Sequence, residues 1–142
     1  MTASSVLTAP SVALGGSRAP RWVLAAAAVT AAVAHIPVIG SHLEEAPYMG
    51  VLFVVLTGAC AVLAASALIR GGRAVYLLTV LTCGLAVVGY AATRLVAFPM
   101  LADDVGNWLE PLGVVSIVSE SIAVAAALVG LRRLSAGHAD LS

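Results

Sequence analysis

One histidine, one arginine and one glutamate lie inside long apolar runs of the sequence: His35, Arg94 and Glu120. A charge at the centre of a bilayer costs roughly 2.5–3.5 kcal/mol on insertion scales, so such a side chain is expected to face a partner. His35 sits one turn from the end of its run, and Arg94 sits one turn before Phe98, which puts both at one level. Glu120 is deeper, about 13 Å below Pro111 along a straight helix. The long Arg94 side chain can snorkel outward or reach down toward Glu120. The expectation is an intramembrane Arg94–Glu120 pair. It would either fix helix packing or line a polar cavity open to the outer face.

The densest chemistry lies in His35-Ile-Pro-Val-Ile-Gly-Ser-His42-Leu-Glu44-Glu45. A spacing of seven would place both imidazoles on one helical face, but Pro37 and Gly40 predict a break and a loop that folds His42 back. Imidazoles with carboxylates suit Zn, Mn, Fe or Cu(II), and Met49 and Met100 would soften the site toward Cu(I). The segment 101–110 adds Asp103, Asp104, Asn107 and Glu110 to the same side, an acidic mouth that would concentrate cations. The candidate divalent-metal ligands are therefore His35, His42, Glu44, Glu45, Asp103, Asp104 and Glu110. The plainer alternative is that His35 bonds a backbone carbonyl and the acids are merely solvated.

No His-Glu-x-x-His, phosphate loop, nucleophile elbow or dinucleotide fingerprint occurs, so an enzyme is the less favoured class. A bis-His haem within one subunit is disfavoured, since only His35 has the depth for it. Cys60 and Cys83 each stand ten residues from the arginine bounding a shared turn, Arg70 and Arg73. They are expected at matched depth, as small buried residues or, if they meet, as a redox couple.

The elements that must carry these residues follow from composition. Of 142 residues, 61% are hydrophobic and 10% charged, with a mean hydropathy of +1.07. A soluble domain carries about 25% charged residues. Lys is absent and the seven basic residues are all Arg, without a basic patch for nucleic acid. A helix of about 20 apolar residues spans the hydrocarbon layer, and four such runs fill the chain, at 22–39, 47–69, 74–98 and 111–131. These predict one all-α domain over 21–133, an integral membrane four-helix bundle running up-down-up-down. Residues 1–20 read as a disordered tail and 134–142 as a second polar tail.

Arg18, Arg21, Arg70, Arg73, Arg132 and Arg133 flank one side of that bundle, and the loops of the other side hold acids without Arg. Basic loops stay inside, so both termini are expected in the cytoplasm of a multi-pass protein of the cell membrane. Ala32-Val33-Ala34 imitates a signal-peptide cleavage site, but the apolar run continues through Ile39 and the segment is taken as a helix that stays.

Small residues along the first two helices permit close approach within the bundle, to a second copy or to another membrane protein. The stretch His42-Leu-Glu-Glu-Ala-Pro-Tyr-Met-Gly-Val-Leu-Phe, with Trp108-Leu-Glu-Pro-Leu-Gly-Val-Val and Glu120 beyond it, resembles small four-helix membrane proteins of actinobacteria. The resemblance implies the fold and singles out His35, His42, Glu45, Glu110 and Glu120, and it brings no activity. Three functions are open: a module that binds or passes a divalent metal at the outer face, an accessory or assembly subunit of a larger membrane complex, and a metal-dependent membrane oxidoreductase or hydrolase.

Overall fold

The computed structural model describes residues 18–139. Most of the expected N-terminal tail, 1–17, and the final residues 140–142 lie outside the described residues. The described chain is all-α: α1 (Ala19–Glu45), α2 (Pro47–Ile69), α3 (Arg73–Leu95) and α4 (Pro111–Ala139), with a 3-10 turn at Ala102–Asp104 before α4. All four helices are long and apolar enough to cross a membrane.

Proline punctuates the starts. Pro20 and Pro47 lie in the first turns of α1 and α2 and Pro111 opens α4, positions where a missing N–H costs nothing. Pro37, by contrast, lies inside α1, which runs through it and through Gly40 to Glu45. The expected break after Ile39 does not occur. Pro37 forfeits only the bond to the carbonyl of Val33. Beyond it Ser41 Oγ and His42 Nδ1 both bond the carbonyl of Val38, at 3.2 and 2.8 Å, which ties down the last turns. The chain then turns on one buried residue, Ala46, whose φ of −140° and ψ of 79° leave the helical region before Pro47. Gly50 admits this elbow: a Cβ there would stand 2.6 Å from Leu43 Cγ and 2.7 Å from Leu43 N.

The far ends are tied differently. Arg21 donates from Nε and a terminal nitrogen to the carbonyls of Ala67 and Leu68, both at 2.7 Å, and so caps α2 from α1. Gly71 beneath it has φ +60°. The third helix stops at Leu95, three residues short of the expected Phe98, because Val96 turns extended and Pro99 follows. The fourth continues past Leu131 to Ala139, into what was expected to be polar tail.

Around the bundle, α1 packs on α2 and α4, and α3 packs on α4 and α2, so α1 and α3 stand diagonally. The interior is built from small side chains. One cluster joins Leu24, Ala25, Ala28, Ala64, Ala67, Tyr76, Ala126 and Ala127 near the arginine-bearing ends. A second joins Ala27, Ala31, Ala32, Cys60, Cys83 and Ala123. Alanine lets the backbones approach closely, the usual source of helix association where lipid is as apolar as leucine. The larger side chains, such as Leu77, Leu81, Leu85 and Val88 of α3, point outward.

Candidate functional site

Above the second cluster the core turns polar. His35 is 5% exposed and Glu120 2%. His35 Nε2 lies 3.0 Å from Glu120 Oε1 and 3.1 Å from Ser116 Oγ. Ser116 and Glu120 are four residues apart on α4, so both face α1 at the height of His35. Ser119 is buried beside them and bonds the carbonyl of Ser116 at 2.9 Å.

One ring nitrogen thus serves both oxygens. With a proton on Nε2, the ring donates to the carboxylate. With Nε2 bare, Ser116 donates to it and only a protonated Glu120 can do the same. The cluster therefore shares a proton along the His35–Glu120 axis. It is not an acyl-transfer relay, in which hydroxyl and acid bond opposite ring nitrogens.

Phe53 of α2 covers the site. Its ring stands 5.3 Å from that of His35 and 4.8 Å, edge-on, from that of His42. The spacing of seven on an unbroken α1 puts both imidazoles on the α2-facing side. His42 does not fold back onto His35. Its Nδ1 is taken by the carbonyl of Val38.

The expected Arg94–Glu120 pair is not formed. Glu120 belongs to His35, and Arg94 pairs with Asp104 at 2.8 Å. Arg94 Cζ also lies 4.6 Å over the Tyr90 ring, and the Arg94 carbonyl accepts from Gly106 N at 2.9 Å. Arg94 thus clamps the 96–110 loop to the end of α3. Its Nε is buried without a hydrogen-bond partner. Two further bonds secure that loop, from Tyr48 Oη to the carbonyl of Pro99 at 2.7 Å and from Tyr90 Oη to that of Trp108 at 2.9 Å.

The proposed metal ligands are dispersed by these roles. Glu110 caps α4, its carboxylate accepting from the amides of Leu112 and Gly113. Asp104 is held by Arg94, and Glu44, Glu45 and Asp103 are exposed. Among the described residues, no group of three or more His, Cys, Asp or Glu side chains is placed to hold a metal ion. Ser116 and Phe53 are the site residues that sequence reasoning missed. The four-residue spacing of Ser116 from Glu120 was the available signal.

With this geometry in hand, comparison adds no relative. No family, curated protein or solved structure matches the chain. The resemblance to small actinobacterial proteins draws no support from these comparisons, and the functional reading rests on the cluster itself.

Proposed function

We propose that this chain is a small multi-pass protein of the cell membrane whose His35–Glu120–Ser116 cluster is a proton-binding site reached from the outer face. In this reading the helices run up-down-up-down with both termini cytoplasmic, since the arginines at 18, 21, 70, 73, 132 and 133 share one side. The observation that carries it is the 3.0 Å contact between two nearly fully buried ionisable groups, His35 and Glu120. Ionisable pairs at such positions mark proton relays and binding sites, and histidine changes charge in the physiological range.

Toward the cytoplasmic side the core is mostly alanine, with Leu24, the two thiols, Tyr76 and the buried Thr79, whose hydroxyl bonds the carbonyl of Val75 at 2.8 Å. Divalent-metal binding through His35, His42 and the neighbouring acids is the weaker form of the proposal, because these donors do not converge.

The test is nitrogen NMR of histidine-labelled protein in lipid nanodiscs, titrated between about pH 5 and 8. The His35 ring resonances are expected to shift with pH, and to shift differently in Glu120→Gln. Resonances that stay fixed in both would sink the reading.

An accessory role is supported by a different feature, an open apolar groove between α1 and α4 lined by Val23, Ala26, Thr30, Val115, Val118 and Ile122. A partner helix seated there would co-purify in mild detergent and be lost in Ala26→Leu. A homogeneous small species from both proteins would exclude it.

A further inference from the structure

Next to the His35 cluster lie two residues the proton reading does not use. Cys60 of α2 and Cys83 of α3 are free thiols, each fully buried. Both side chains pack into one buried cluster between α2, α3 and their neighbours. Their surroundings are the methyl groups of Ala27, Ala31, Ala32 and Ala123. One turn back along α2, the hydroxyl oxygen of Thr57 is buried without a hydrogen-bond partner. Glu120 is close enough to act electrostatically on both sulfurs.

We propose that Cys60 and Cys83 form a two-coordinate site for a soft monovalent cation, Cu(I) or its analogue Ag(I). The donor set selects the ion. Structural zinc takes four ligands in a tetrahedron, and calcium or magnesium takes six or more oxygens. Two sulfurs from facing helices, packed among Ala27, Ala31, Ala32 and Ala123, satisfy neither. Soft thiolate ligands favour Cu(I), which accepts two donors in line.

Charge points the same way. Binding breaks the S–H bond of one cysteine, releases that proton to solvent, and forms a metal–sulfur bond to the thiolate. The other sulfur adds a lone pair while keeping its proton. The positive ion and the single thiolate cancel, so the loaded site is neutral, as a membrane interior requires.

The experiment uses the full chain in nanodiscs, reduced and free of oxygen, titrated with Cu(I) buffered by bicinchoninate. Wild type is expected to take a single Cu(I) per chain. Cys60→Ser and Cys83→Ser are each expected to lose it, and His35→Asn to keep it. Cys60→Ala and Cys83→Ala serve where a serine variant does not keep the wild-type thermal transition. Uptake by wild type no greater than by the double cysteine variant overturns the proposal. So does loss in His35→Asn with retention in the cysteine variants, which would assign the ion to the histidine cluster. Zinc bound through the cysteines as tightly as Cu(I) would contradict the two-donor argument. None of these outcomes depends on whether His35 titrates.

Discussion

Glu120 of α4 meets His35 of α1 at 3.0 Å. The bond ties together the two helices that flank the apolar groove, and its partners stand 85 residues apart in the chain.

Its energetic weight is accessible by a double-mutant cycle. Interhelical hydrogen bonds in membranes contribute about 0.6–2 kcal/mol. His35→Ala and Glu120→Ala are each expected to destabilise the bundle by about 1–2 kcal/mol, with a coupling of about 1 kcal/mol between them. Glu120→Gln should fall closer to wild type, because an amide can still donate to Nε2. Unfolding in detergent mixtures reads all four proteins. A coupling of zero would make the contact energetically idle.

Arg94→Ala is expected to free the loop at 96–110. Removing the guanidinium leaves Asp104 without its ion pair and uncovers the Tyr90 ring, a loss of about 1–3 kcal/mol. Hydrogen exchange should rise at the loop amides and stay unchanged in the middle of α1. Arg94→Lys should restore the charge without the flat stack on Tyr90, and so rescue only in part. Exchange that rises equally throughout the bundle would show that Arg94 supports the whole fold, not the loop.

Gly71→Ala tests the cap at the other end. With φ at +60°, a side chain costs about 1–2 kcal/mol. An added Cβ would also stand 2.8 Å from Arg21 Nε, disturbing the bonds to Ala67 and Leu68. Gly40→Ala is the control, since nothing lies within 4 Å of its Cβ position. Helical propensity should make that change neutral or stabilising by up to about 1 kcal/mol. Equal thermal shifts in the two variants would remove the account of Gly71.

Orientation is read by thiol labelling. Glu45→Cys and Ser135→Cys place a reactive group at opposite ends of the bundle, both exposed, while Cys60 and Cys83 are buried. A membrane-impermeant maleimide should label the first in intact cells and the second only after permeabilisation. The reverse pattern would invert the assignment.

The four spans were legible because apolar length is a one-dimensional property. Runs at 47–69 and 111–131 needed only the roughly 30 Å of hydrocarbon and the rise of a helix. The end of α1 was not legible. Pro37 and Gly40 usually argue for a break, yet Pro37 removes a single bond while Ser41 and His42 make two to Val38. The same continuity put His42 beside Phe53.

The sequence by itself determined that His35, Arg94 and Glu120 needed partners, since the cost of burying a charge depends only on where it lies in an apolar run. Only the tertiary structure decided which partners they took. A helix turns through one revolution every 3.6 residues, so the direction of each side chain depends on how its helix is rotated against its neighbours. Alanine faces at Ala28, Ala31, Ala64 and Ala123 set that rotation through close contact. It turned Glu120 toward α1, and the 96–110 loop brought Asp104 to Arg94.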